Sequence, residues 1–92
     1  MQQDAAETLA ARALAWLTGQ DGLLSVFLGA SGLNVSDVAA QAEEPEFLAS
    51  VLDFVLMDDE WVRGFCDAAQ MPYDLPMKAR AALPGGGEVH WT

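Results

Sequence analysis

Residues Pro45 to Ala69 read PEFLASVLDFVLMDDEWVRGFCDAA, and their spacing predicts two consecutive helices. On the first, placed over about Pro45 to Met57, a 100° step per residue puts Phe47, Leu48, Val51, Leu52, Phe54, Val55 and Leu56 on an arc of roughly 200°. Ala49, Ser50, Asp53 and Met57 fall on the remaining strip. An arc that wide must be covered from more than one side, so this helix belongs at the centre of the fold. Pro45 suits a first helical position, where no intrahelical donor is required, and Glu46 favours the positive end of the helix. Asp58 restarts the chain as an N-cap, with Asp59 and Glu60 in the next first turn. Trp61, Val62, Phe65, Cys66 and Ala69 then recur at i, i+1, i+4, i+5 and i+8, a single buried stripe.

Outward from this pair the chain keeps the same character. A helix from about Asp4 to Thr18, stopped by Gly19, buries Ala6, Leu9, Ala13, Trp16 and Leu17. Asp21 is the expected cap of a second, with Leu23, Leu24, Phe27 and Leu28 inward, ended in the Gly29 to Gly32 region. Ser36 is the expected cap of a short third, turning Val38, Ala39 and Ala42 inward. After the central pair, MPYD makes a turn. Asp74 then opens a sixth helix with Leu75, Ala79, Ala82 and Leu83 inward, and Pro76 is tolerable there because it falls in the first turn. Lys78 and Arg80 lie towards the C-terminal half of that helix, where cations complement its dipole. Pro84 stops it. Alternation of the kind strands require is absent, and there is no internal repeat. The fold class is therefore all-α: a compact orthogonal bundle of five or six short helices. Its core is expected to hold Phe47, Leu48, Val51, Leu52, Val55, Trp61, Phe65 and Cys66. Residues 1–84 form a single domain, and 85–92, GGGEVHWT, read as a mobile tail.

Composition narrows the function. Fourteen acidic residues face four basic ones, for a formal net charge of −10. From Ala13 to Val62 there are nine acidic residues and no Lys or Arg. Phosphate contacts dominate nucleic-acid affinity, so binding to DNA, RNA or an anionic membrane is disfavoured. The segment GASGLNVSDVAAQAEE has the look of the turn and second helix of a helix-turn-helix. A recognition helix must meet phosphates, however, and this one offers Asp37, Glu43 and Glu44 with no cation. A single cysteine excludes an intramolecular disulfide and a Cys-based zinc site. A reducing, cytoplasmic setting fits. The N-terminus lacks the basic start and continuous apolar run of a signal peptide, and no apolar run approaches the length of a membrane span.

Candidate sites are few. Asp58, Asp59 and Glu60 are the densest acidic cluster, but adjacent helical residues point in different directions, and no calcium-type loop surrounds them. Capping explains them more simply. Arg63, four residues from both Asp59 and Asp67, is placed to pair with either, each exposed pair contributing about 0.3–0.5 kcal/mol. Its functional alternative is an anion contact or interface anchor. Cys66, inside a buried stripe, reads as a small hydrophobe, and the sole histidine, His90, lies in the expected tail. The tail glycines are no phosphate loop, lacking a following Lys-Ser/Thr and helix. Val89 and Trp91 could let the tail dock as a peptide.

Several stretches together resemble a known family. They are ALAWL (13–17), VFLGASGL (26–33), SDVAAQAEEPEFLASVLDF (36–54), WVRGFC (61–66) and ARAALPGG (79–86), covering nearly the whole chain. The chain is similar to the small bacterial proteins classed as domain of unknown function 3572. That resemblance implies an all-helical bacterial protein and brings no activity, cofactor or catalytic residue with it. No catalytic, cofactor or metal position is assigned. The interaction candidates are Glu43, Glu44, Glu46, Asp58, Asp59, Glu60 and Arg63. The leading expectation is a non-catalytic cytoplasmic interaction module for a protein partner of unknown identity, its oligomeric state open. The alternative is an acidic decoy that occupies a basic, nucleic-acid-binding surface and so presents one continuous acidic face. A third is a small carboxylate enzyme, which needs a concave pocket with perturbed carboxylates.

Overall fold

A computed structural model describes residues 1–85 of the chain. Six helices follow one another: α1 (Gln3–Thr18), α2 (Leu23–Ser31), α3 (Val35–Gln41), α4 (Pro45–Val55), α5 (Asp59–Ala69) and α6 (Leu75–Ala81). Among the described residues there is no strand. The Cα radius of gyration is 12.4 Å, against about 12 Å for a compact domain of this length. The expected tail, apart from Gly85, lies outside the described residues.

The core is the one the apolar spacing predicts, with instructive exceptions. Phe47, Leu48, Val51, Leu52, Phe54 and Val55 of α4 are all buried. So is Ala49, which the helical wheel places on the open strip. At 100° per residue Ala49 falls only about 20° beyond Leu56, so the buried arc simply extends by one small side chain. The helix itself closes earlier than expected. Leu56 is its C-cap, half-buried, and Met57 lies outside it, exposed. Trp61, expected in the core, is half-buried, its ring stacked on Phe54 at a centroid distance of 4.7 Å.

The helix that touches most of the others is α1. It packs against α4 and α6 and also meets α2 and α5, while α4 meets α6. Its buried residues are Ala6, Leu9, Ala10, Ala13 and Leu17. Three of the five are alanines with no exposed surface. Side chains that small let a neighbouring backbone approach closely, so α1 can serve several neighbours at once. Trp16 is half-buried because it sits about 80° from the centre of that stripe. Its indole meets Phe65 at 6.0 Å and lies over Gly64, where a Cβ would come within 3.0 Å of Cζ2. A second aromatic line ties α2 to α4. Phe27 meets Phe47 at 6.0 Å and Phe54 at 5.3 Å, both edge-to-face.

Two helix starts differ from the sequence expectation. Asp21 does not cap α2. The N-cap is Gly22 in the left-handed region (φ 74°), with no side-chain bond. Ser36 does not cap α3 either; Asn34 does. Asn34 Oδ1 accepts from the Asp37 N–H at 2.9 Å, and Asp37 Oδ2 accepts from the Asn34 N–H at 3.0 Å. This reciprocal pair satisfies two otherwise orphaned donors, and Ser36 falls inside the first turn. Inward-facing residues on α3 are only partly covered: Val38 and Ala42 are half-buried and Ala39 is exposed. Asp58 caps α5 as expected, its Oδ1 accepting from the Glu60 N–H at 2.8 Å. Asp74 holds the N-cap position of α6 without a side-chain cap bond, and pairs instead with Lys78 at 3.1 Å.

Candidate interaction surface

The interaction candidates divide in space. Asp58, Asp59 and Glu60 stay at the start of α5, where the carboxylate of Asp58 is used in capping. Among the described residues no three His, Cys, Asp or Glu side chains come close enough together to hold a metal ion. Glu44 is the N-cap residue of α4 with no side-chain cap bond, and Glu46 lies in the first turn of that helix. Both are exposed. Glu43 is the one that gathers company. With Asp4 and Glu7 of α1 it lines a cleft of about 400 Å³, completed by Thr8, Ala11, Ala42 and Leu48.

This cleft forms because the outer face of α1 passes the link between α3 and α4. Asp4, Glu7, Thr8 and Ala11 recur at i, i+3, i+4 and i+7, one continuous face of α1 opposite its buried stripe. Leu48, only 2% exposed, forms the floor. The lining includes no Lys or Arg. Asp4 and Glu7 were not among the sequence candidates. Their spacing marks them as a solvent face of α1, but that Glu43 stands across from them depends on how α1 packs against α4.

The four cations lie elsewhere. Arg12 donates from Nη2 to the Ala69 carbonyl at 3.3 Å, neutralising part of the negative end of α5. Arg80 donates from Nε to Asp53 Oδ1 at 2.6 Å and from Nη1 to the Pro84 carbonyl at 2.9 Å. Lys78 is engaged by Asp74. Arg63 forms neither of its two expected ion pairs among the described residues. The reason is visible for one of them. Asp67 accepts from the Tyr73 hydroxyl at 2.8 Å, so its carboxylate is turned towards the turn after α5. That bond, with the charge of Asp67 behind it, raises the Tyr73 pKa.

Cys66 is completely buried. Burial is the main force pushing its thiol pKa up, helped by the nearby charges of Asp67 and Asp74. A thiol held protonated and out of reach is the opposite of an activated nucleophile. The sole histidine, His90, lies outside the described residues.

The segment likened to a helix-turn-helix holds a bend between two short helices. α2 and α3 are bent by 82° at the break between them. Yet α3 is seven residues long, and its acidic Asp37 is already engaged in the capping box. No single helix is long and apolar enough to cross a membrane.

The pattern of a family described as protein of unknown function (DUF3572) matches residues 3–86. The chain belongs to the DUF3572 family. The match spans every helix from α1 to α6, so the acid-lined cleft and the buried Cys66 both fall inside the DUF3572 domain. Comparison with curated proteins finds no match, and comparison with solved structures finds none either.

Proposed function

We propose that this DUF3572 chain is a non-catalytic interaction module of the cytoplasm, and that the cleft between α1 and the α3–α4 link receives a basic segment of a protein partner. The observation that carries this reading is the convergence of Asp4, Glu7 and Glu43 on one cation-free cleft with an apolar floor. A Lys- or Arg-bearing side chain can lay its methylene stem along Leu48, Ala11 and Ala42 while its head meets the carboxylates. Complementary charge of this sort accelerates encounter and selects against acidic partners. A chain with one cysteine, buried and without a disulfide, fits a cytoplasmic setting. A decoy for a nucleic-acid-binding surface would use the same charges and would displace nucleic acid from its partner.

Charge reversal provides the test. Asp4→Lys, Glu7→Lys and Glu43→Lys together should weaken capture of basic partners at least tenfold in low salt. The loss should shrink as ionic strength rises, because exposed charges are screened beyond about 8–10 Å near physiological salt. Reversing Asp21, Asp59 and Glu60 instead makes the same change in net charge away from the cleft. If both triple variants lose binding equally, the acidity acts through net charge alone and the cleft reading is wrong.

A further inference from the structure

A second concavity, which shares no residue with the acidic one, lies between the later half of α1 and α5. It measures about 340 Å³ and is lined by Arg12, Ala15 and Trp16 of α1 and by Phe65, Ala68 and Ala69 of α5. Arg12 and Trp16 stand at i and i+4; Phe65, Ala68 and Ala69 stand at i, i+3 and i+4. Each wall is therefore one continuous helix face. Three of the six lining side chains are alanines, too short to fill the space beside two aromatic rings.

Gly64 shapes the same groove. A glycine inside a helix lowers stability relative to alanine. Here it lets the Trp16 indole lie against the α5 backbone, where a Cβ would crowd Cζ2. Trp16 thus stays half-buried against Phe65 and forms part of the wall.

Charge decides what this groove can take. Arg12 is the one charged residue in the lining. Its guanidinium has five donors, and one is given to the Ala69 carbonyl at 3.3 Å. The dipole of α5 offsets about half a charge, so the Arg12 end stays net positive. Lys78 and Arg80 are both paired with carboxylates. On a chain of net charge −10, this groove is an exception. A cation would suit the two aromatic faces but is repelled by Arg12. An anion with an aromatic body suits both features: its carboxylate meets the planar fork of Arg12, and its ring packs on Trp16 and Phe65. Size agrees. A dry cavity of about 150 Å³ suffices for benzene, so the groove has room for one ring and a short carboxylate arm.

We propose that the groove between α1 and α5 binds a small aromatic carboxylate. The carboxylate sits on Arg12, and the ring lies between Trp16, Phe65 and Ala68. This site takes ligands of the opposite charge to those suited to the acidic cleft.

Amide and indole N–H NMR of the full chain, titrated with phenylacetate, tests this. Phenylacetate should shift the Trp16 indole N–H and the Ala68 and Ala69 amides saturably, with a Kd of about 1 mM for so small a ligand. Phenylacetamide keeps the ring without the charge, and acetate keeps the charge without the ring. Each should bind at least about tenfold more weakly. Arg12→Gln should weaken phenylacetate by about fivefold or more and leave phenylacetamide unchanged. Ala68→Leu, at an exposed position on α5, fills the groove and should abolish the saturable shifts. No saturation by about 20 mM phenylacetate, or undiminished binding in either variant, would overturn the proposal. So would acetate binding as tightly as phenylacetate, which would reduce the groove to an anion contact. Movement of the same peaks on diluting the free protein would also overturn it, making a second copy the occupant.

Discussion

Cys66 shows how far one buried atom can shape a solution property. Its thiol holds its proton to higher pH than an unfolded thiol would. Below the ordinary thiol value of about 8.5 both states are protonated, and the stabilisation is fully present. As pH rises past that value the unfolded chain loses the proton first, so stability falls until the folded thiol also ionises. Tyr73 adds a decline of the same sign, beginning near the ordinary tyrosine value of about 10. Urea midpoints measured from pH 7.5 to 10.5 should therefore fall, and Cys66→Ala should flatten the earlier part of the decline while leaving the later part. An unaltered slope in that variant would assign the effect to other groups. Leu52, fully buried in α4, gives a second test. Leu52→Ala should cost about 2–5 kcal/mol in chemical denaturation, and a loss under about 0.5 kcal/mol would place it outside the core. Residues of this type were legible in sequence because bulk and helical spacing agree. Ala10 and Ala49 were not, because an alanine's burial depends on what approaches it.

Helices were easier to find than their ends. All six follow from apolar spacing, and Asp58 from its position ahead of a strong stripe. The starts of α2 and α3 were read one and two residues away because Asp21 and Ser36 are good capping residues that the backbone does not use. In α3 the decisive feature is the i, i+3 pair of Asn34 and Asp37, reciprocal where Ser36 offers a single acceptor. Asn34→Ala should thus destabilise the protein by about 1 kcal/mol, whereas Ser36→Ala should change the denaturation midpoint little. Equal losses from the two would mean that the cap is not where the hydrogen bonds put it. The expected ion pairs of Arg63 failed for a related reason. Spacing of four residues permits a contact, but Tyr73, six residues past Asp67, competes for the same carboxylate.

At the scale of the whole molecule, the acidic cleft could not be read from any one stretch. Asp4 and Glu7 are some forty positions from Glu43 and meet it only through the packing of α1 on α4. The excess of acid was plain from composition; its focus was not. The same long-range packing has a consequence in time. α1 lies against α6, so the first described helix rests on the last. The 56 residues between Thr18 and Leu75 take about 3–11 s to synthesise at 5–20 residues per second. Throughout that interval Leu9, Leu17 and the alanines between them have no α6 to cover them. The nascent chain presents this weakly apolar, alanine-rich ridge to whatever meets newborn proteins, and completes its core only after α6 emerges.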